Sequence, residues 1–222
     1  LNNTLKLCNE THDTPTSHYR NTKDHIPPWI LFKNVSFSST TDIYKYLKTE
    51  DKEDMFTYFR LLSVSNIDNE AKANVLLSAL NIVRKFRNKA THNLDFVKYR
   101  SPLFHSANHI FENTLLYTNE INITYDNIWG LILSMIILLN NKYLEYGFIT
   151  ELSTYLNSYG SDMSKLYCHM TGIPIDYQRR FKLYTSTLMT SITNYNQEEK
   201  NDNAPNLQDT YADVAATSET DP

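Results

Sequence analysis

The stretch from Asp68 to His92 constrains the fold most, because its apolar residues follow the period of an α-helix rather than that of a strand. They recur at intervals of three and four positions, which places them on one helical face. These residues are Val75, Leu76, Ala79, Leu80, Val83 and Phe86. Asp68 stands just before the helix as a suitable N-cap. The sequence therefore predicts a long amphipathic helix whose apolar face must pack against other helices.

The rest of the chain supports an all-α fold. The 222 residues include only 4 Gly and 7 Pro, too few for the many turns of a β-sandwich or barrel. No stretch shows the repeated alternation of apolar and polar residues that a half-buried sheet needs. Apolar spacing and capping residues predict seven further helices, at 29–35, 42–48, 50–62, 127–141, 142–158, 162–170 and 176–193.

Local residue types predict where several of these helices begin and end. The first, 29–35, follows two prolines and is expected to be a buried turn. Residues 38–41 offer several N-caps for the second, and Asp126 is the expected cap of the helix at 127–141. Gly160 suits the position just after a helix, and is expected to end the one at 142–158.

Charge divides the chain into a helical body, 1–195, and an acidic tail, 196–222. The tail has seven acidic residues and one basic residue, and it contains few apolar ones. Such a segment is predicted to be disordered, because it cannot bury enough surface to offset its conformational entropy. The net charge of −4 therefore reflects the tail, since the body carries 20 basic and 18 acidic residues. A near-neutral body permits a nucleic-acid partner.

Several classes of protein and site are not supported by the sequence. Cys8 and Cys168 form no disulfide framework or metal-binding CxxC pair, and no signal peptide is visible, which favours a cytoplasmic protein. The longest apolar stretch, 129–139, is far shorter than the roughly 20 residues of a membrane span. No motif for a nucleotide or other cofactor is present, and His105 with His109 is only a weak metal signal. We therefore expect no membrane segment, metal or cofactor.

The residues that could perform chemistry lie at the end of the long helix. Arg84, Lys85, Arg87 and Lys89 fall within six residues and form a cationic region. Arg87 follows 76, 80 and 83 at helical spacing, so it is expected to point toward the packed side, where a guanidinium needs acceptors or an anion.

Next to these cations stand residues able to bind and to transfer protons. His92 can give and take protons near neutral pH, and Asn88 and Asn93 can hydrogen-bond to backbone or substrate. An arginine that holds a phosphate beside a histidine that moves a proton suits cleavage of an RNA phosphodiester by its own 2′-hydroxyl.

Spacing alone does not establish this chemistry. The same interval separates Arg20 from His25 and Arg100 from His105. The cluster also fits a solvated helix face, with His92 favoured by the dipole at the helix C-terminus. The sequence of the motif, rather than its spacing, favours the catalytic interpretation.

The string Arg87-Asn88-Lys89-Ala90-Thr91-His92-Asn93 resembles the RN-x-x-x-H signature of the HEPN superfamily. More specifically, the chain resembles the Abi-like (abortive infection, Abi_2-type) bacterial proteins over residues 18–183. Beyond the RN-x-x-x-H string, the segments that carry this resemblance occur in the expected order. They are 18–20 with 26–30 and 36–37, then 42–48, and finally 170–174 with 176–177.

This resemblance implies a HEPN-like helical bundle with additional packed helices. It also implies a metal-independent endoribonuclease of the abortive-infection or toxin type, used in phage defence. Two motifs facing each other across a homodimer would form the site, and an antitoxin protein or small RNA could restrain it. Arg87 and His92 would be catalytic, with Asn88 and Asn93 supporting them or contacting RNA. Arg84 and Lys89 would add RNA-binding charge.

Two positions depart from the family pattern. Lys33 stands where the family commonly has an acid after the tryptophan, and Ser38 stands where it commonly has glycine. An acid could orient the active-site arginine or histidine, whereas a lysine cannot, although Lys33 could itself contact phosphate. The alternative function is therefore a non-catalytic helical module that binds RNA or protein. A third interpretation is a helical domain unrelated to RNA.

Overall fold

The fold was analysed in a computed structural model, which describes residues 6, 9–10, 14–23, 27–92, 95–101, 116 and 124–202. These residues contain ten helices and no strand, which confirms the predicted all-α class. The helices are α1 (Thr14–Thr22), α2 (Pro28–Lys33), α3 (Phe37–Tyr46), α4 (Thr49–Phe56), α5 (Arg60–Ser63), α6 (Asn69–Thr91), α7 (Ile128–Leu138), α8 (Lys142–Asn157), α9 (Ser161–Thr171) and α10 (Tyr177–Asp202).

The core forms where α6 packs against α7. The α7 helix is apolar almost all around, and such a helix is stable only when neighbours cover most of its sides. Trp129 of α7 is fully buried and lies 6.0 Å from the ring of Phe181 on α10, measured between ring centroids. The α6 helix therefore runs through the centre of the fold, with its C-terminal end free to carry a site.

Apolar spacing predicted most of the buried residues of α6, but it did not predict where the middle of the buried face lies. The buried residues of the helix are Val75, Leu76, Ala79, Ile82 and Phe86. Leu80 and Val83, which were expected on this face, are only half-buried. Ile82, which the spacing did not mark, is buried instead, so the core face consists of positions 75, 76, 79, 82 and 86.

Two helix starts show how a side chain fixes the first turn. Asp68 caps α6 as predicted, because its Oδ1 accepts a hydrogen bond from the N–H of Ala71 at 2.7 Å. The cap of α3 is Ser36 rather than a residue of 38–41, and its Oγ accepts from the N–H of Ser39 at 3.1 Å. The helix therefore begins several residues before the predicted start, because an earlier hydroxyl satisfies its free N–H groups.

The cap of α7 is also one residue away from the prediction. Asp126 accepts a hydrogen bond from the hydroxyl of Thr124 at 2.7 Å. Asn127 caps the helix instead, since its Oδ1 accepts from the N–H groups of Trp129 and Gly130 at 2.9 and 3.3 Å. Asn127 is buried, so it also supports the packing around the start of α7.

The expected helix at 50–62 is divided into α4 and α5. Phe59 adopts an extended backbone and serves as the N-cap of α5. The bend allows both Phe56 and Leu62 to reach the core.

The expected buried turn at 29–35 is the helix α2, which begins at Pro28 because proline is tolerated in the first turn. Ile30 is 7% exposed, whereas Trp29 is 65% and Phe32 48% exposed, so the expectation of a buried turn was wrong for these two aromatic residues.

The two glycines beside α9 adopt left-handed backbone conformations. Gly160 does not follow α8 directly, as expected, but is the N-cap of α9 with φ of +75°. Gly172 ends α9 with φ of +76°, and its N–H donates to the carbonyl of Cys168 at 2.9 Å. A Cβ at Gly172 would lie 1.9 Å from Nδ2 of Asn127. This position therefore excludes a side chain for two reasons, backbone strain and contact with the α7 cap.

We predict that Gly172→Ala lowers the free energy of unfolding by about 1–3 kcal/mol, because it combines left-handed strain with a clash. Thermal unfolding followed by circular dichroism measures this as a lower Tm. The matched control is Gly147→Ala in the middle of α8, where nothing lies within 4 Å of the added Cβ. Alanine there is expected to stabilise the helix by up to about 1 kcal/mol. An unchanged Tm for Gly172→Ala would contradict this account.

The last helix, α10, continues to Asp202, beyond the predicted end near Thr193. Residues 203–222, which make up most of the predicted tail, lie outside the described residues, as do His25, His105 and His109. Within the described part of the chain, no helix is long and apolar enough to cross a membrane.

Candidate functional site

The predicted basic cluster lies at the C-terminal end of α6, on its solvent side. Phe86 faces the core, whereas Arg87, Asn88 and His92 are exposed. The expectation that Arg87 points toward the packed side was therefore wrong. The buried face follows 79, 82 and 86, so position 87 lies beyond its edge and the guanidinium faces solvent.

Asn88 connects the two residues that were predicted to be catalytic. Its side-chain Oδ1 accepts a hydrogen bond from Nη1 of Arg87 at 3.2 Å. Its backbone carbonyl accepts from the N–H of His92 at 3.1 Å. The hydroxyl of Thr91 donates to the carbonyl of Arg87 and so stabilises the same last turn. One asparagine therefore orients the arginine side chain and the backbone of the histidine.

His92 ends the helix and presents an exposed imidazole. It is the C-cap of α6, with φ of −91° and ψ of 13°, and follows a helix of 23 residues. Arg87 and His92 are five residues apart, about 7.5 Å along a helix axis. Five positions also place them about 140° apart around the axis, and both side chains are exposed at the same helix end.

Arg84 is held between two helices. Its Nη1 donates to the hydroxyl of Ser38 on α3 at 2.8 Å, and its Nη2 donates to Oδ1 of Asn81 at 2.9 Å. The hydroxyl of Ser38, one of the two positions that depart from the resembled pattern, therefore has a defined partner. Arg84 consequently connects α3 to α6 and adds charge beside the site.

Lys89 packs on the segment that follows α6. Its Nζ lies 5.0 Å from the centre of the Tyr99 ring, an arrangement that stabilises a cation. Tyr99 in turn packs edge-on against Phe86, with ring centroids 5.0 Å apart. The 95–101 segment is thereby attached to the end of α6.

The remaining predicted site residues are not brought to this turn by a described contact. Lys33 is the exposed last residue of α2, and Asn93 lies outside the described residues. The turn of α6 therefore gathers Arg87, Asn88 and His92, with Arg84 and Lys89 beside them.

The end of α6 carries positive charge that the described residues do not neutralise. Among them, no carboxylate forms an ion pair with Arg84, Lys85, Arg87 or Lys89. Arg87 is exposed and the other three are partly exposed. A group of accessible cations without acidic partners attracts phosphate. In the same ranges, no three His, Cys, Asp or Glu side chains gather into a metal-binding group.

Comparison with protein-family models finds a match over the part of the chain that includes this site. Residues 1–97 match the model of the Abi-like proteins, slightly less than half of the chain. The matched region contains α1 to α6 and both Arg87 and His92. The resemblance noted at 170–177 lies outside this match. Searches of the curated proteins and of the solved structures found no significant match.

A buried polar cluster joins the region that matches the family model, 1–97, to the C-terminal helices. Glu145 on α8 is fully buried, and its Oε1 accepts from Nε of Arg60 at 2.8 Å. Its Oε2 accepts from Nη2 of Arg60 and, at 2.7 Å, from the hydroxyl of Tyr184 on α10. Tyr184 also accepts from Nη2 of Arg60 at 3.2 Å. These three residues close a hydrogen-bonded triangle between α5, α8 and α10.

The pKa values of this cluster follow from burial and the carboxylate. Burial raises the pKa of Tyr184, and the charge of Glu145 raises it further. For Arg60, burial alone would lower the pKa. The hydrogen bonds and charge of Glu145 outweigh this effect of burial, so the pKa of Arg60 is raised above its usual value. Both partners therefore stay protonated and donate to Glu145.

Sequence analysis did not identify this cluster. Its members are 85 and 39 positions from Glu145, and no local motif marks them. A glutamate on an apolar stretch of a helix was the one available signal. Glu145 and Tyr184 are both buried, so we assign the cluster to stability rather than to chemistry.

Proposed function

We propose that this Abi-like protein is a metal-independent endoribonuclease of the abortive-infection or toxin type. The observation that carries this proposal is the open end of α6, where Asn88 links Arg87 to His92. The surrounding cations have no acidic partner among the described residues. This arrangement can hold a phosphate and move a proton at the same place.

In the proposed reaction, the 2′-oxygen of a ribose attacks the adjacent phosphorus and the bond from phosphorus to the 5′-oxygen breaks. The products are a 2′,3′-cyclic phosphate and a 5′-hydroxyl. Arg87 stabilises the charge that develops on the non-bridging phosphate oxygens. His92 transfers a proton, either from the 2′-hydroxyl or to the departing 5′-oxygen. Asn88 holds the guanidinium through Oδ1 and keeps its Nδ2 group to donate to RNA.

One motif supplies one histidine, whereas the reaction has two proton transfers. A homodimer in which two α6 ends face each other would supply both. This agrees with the HEPN resemblance of the 87–93 string, and an antitoxin protein or small RNA would bind over the same basic surface.

We predict that the purified protein cuts total RNA in the presence of EDTA. The fragments are expected to carry 2′,3′-cyclic phosphate and 5′-hydroxyl ends, because the nucleophile belongs to the RNA. End-group analysis by enzymatic ligation and mass spectrometry identifies them. Binding without cleavage would instead support the non-catalytic module, in which Lys33 replaces the acid of the active family members. Fragments with 3′-hydroxyl ends would contradict the proposed mechanism.

A further inference from the structure

A second surface of the molecule combines exposed aromatic rings with cations. Tyr155 near the end of α8 is 52% exposed, and Tyr159 in the α8–α9 connection is 42% exposed. Their rings lie edge to face with centroids 5.1 Å apart, and their hydroxyls hydrogen-bond to each other. Tyr159 also lies nearly parallel to Tyr167 of α9, at 6.2 Å and 13°. We call these three residues the tyrosine cluster.

The apolar surface continues along α9. Met163, Leu166 and Met170 are all exposed, and with Tyr167 they follow helical spacing on one face. The opposite side of the helix is buried through Ser164 and Cys168. Contiguous exposed apolar groups of this kind commonly mark a binding surface.

Lys165 and His169 lie one turn apart on α9, outside the apolar face. Both side chains are exposed, and Lys165 forms a weak surface pair with Asp162 at 3.9 Å. Lys165 also lines a cleft of about 270 Å³, together with Asn157. Oδ1 of Asn157 accepts from Tyr177 and Gln178. These bonds fix the amide so that its Nδ2 group remains as a donor.

The 95–101 segment connects this surface to the basic end of α6. At one end Lys89 lies over the ring of Tyr99. At the other, Nη2 of Arg100 donates to the carbonyl of Met170 in the last turn of α9, at 3.4 Å. Arg100 is exposed, so positive charge continues from the proposed site to the aromatic face.

We infer that the tyrosine cluster is a base-stacking subsite for single-stranded RNA. This inference rests on the proposed function and names the substrate class of the same site. Aromatic rings bordered by cations bind single strands because every base has a face that stacks and every phosphate a charge. A base would stack on Tyr159, and the exposed Arg100 beside the last turn of α9 would contact a phosphate of the same strand. Paired bases are already stacked and cannot use this surface.

The test measures RNA binding in the His92→Ala background, where the bound strand stays intact. The probe is a fluorescein-labelled single strand of about 16 nucleotides, within the range that such surfaces cover. Tyr159→Ala is expected to weaken binding about tenfold or more, and Tyr159→Phe to retain it. The same strand annealed to its complement should bind equally to all three proteins. Circular dichroism confirms the fold, and Tyr155→Ala replaces Tyr159→Ala if that variant does not fold.

The matched control is Tyr58→Ala, which removes an exposed tyrosine outside the cluster. Equal binding by Tyr159→Ala and its parent would overturn the inference, as would equal weakening by Tyr58→Ala. Loss of self-association without loss of RNA binding would assign the face to a second copy of the chain, and would also overturn it. Cleavage by the unmodified protein is scored separately. Failure of the subsite is therefore distinguishable from failure of the nuclease proposal.

Discussion

The His92→Ala variant is expected to lose RNA cleavage by about 100-fold to 10,000-fold while keeping its melting temperature. This is the usual contribution of a positioned acid or base. The imidazole is exposed at the end of α6, so its removal leaves no cavity in the core. Cleavage is measured as the initial rate on a labelled RNA in EDTA, and folding by circular dichroism.

Arg87→Ala is expected to reduce the same rate by about 100-fold to 1,000-fold, because the developing phosphate charge loses its main donor. Arg87→Lys keeps the charge but not the planar fork that binds two oxygens, so it should restore activity only in part. The hydrogen bond from Nη1 of Arg87 to Asn88 is lost in Arg87→Ala, and the guanidinium that makes it is absent in Arg87→Lys as well.

His169→Ala is the matched control for these variants. His169 is also exposed and also lies in the last turn of a helix, α9, but it is not part of the Arg87–Asn88–His92 turn. Its loss should change cleavage at most severalfold. Cleavage by His92→Ala at the rate of the unmodified protein would rule out the proposed mechanism.

Glu145→Ala is expected to destabilise the protein by about 3–5 kcal/mol. Removing one partner of a buried ion pair leaves the other charge without compensation. Here the guanidinium of Arg60 and the hydroxyl of Tyr184 would both lose their acceptor. For a protein of this size, a loss of that order lowers Tm by about 10 °C. Urea unfolding with a linear extrapolation measures the free energy directly.

Two further variants test how much the buried cluster around Glu145 contributes to stability. Tyr184→Phe removes one donor to Glu145 and should cost about 1–3 kcal/mol, less than the loss of the carboxylate. Asp162→Asn is the control, since Asp162 is 96% exposed and its ion pair to Lys165 spans 3.9 Å. A surface pair of this kind contributes about 0–1 kcal/mol. If Glu145→Ala cost no more than Asp162→Asn, the cluster would not stabilise the fold as we infer.

The sequence predicted those features that depend on neighbouring residues. The α6 helix, its Asp68 cap and the basic residues at its end all follow from local spacing and capping chemistry. The break at Phe59 and the cap at Asn127 were missed, because each depends on how distant helices pack. The orientation of Arg87 was wrong for the same reason. A shift of one position in the buried face decides whether a residue at its edge faces the core or solvent.

Contacts between distant parts of the chain account for the rest of what was missed. The bond from Arg84 to Ser38 spans 46 positions, and Arg60 reaches Glu145 across 85. A single sequence carries no signal for such pairs. The tyrosine cluster likewise depends on the connection that brings Tyr159 against Tyr167, which spacing along either helix does not reveal.

The packing of α6 on α7 has a consequence for how such a chain can evolve. The Abi-like match ends at residue 97, but the apolar face of α6 is covered by α7, which begins at Ile128. Recombination that transferred residues 1–97 alone would carry the Arg87–His92 turn on a helix with its apolar side exposed to water. The Arg87–His92 turn is therefore expected to be inherited together with a helix that fits against α6. Substitutions in α7 are thus constrained by the shape of the α6 surface that it packs against, even at positions where no polar contact joins the two helices.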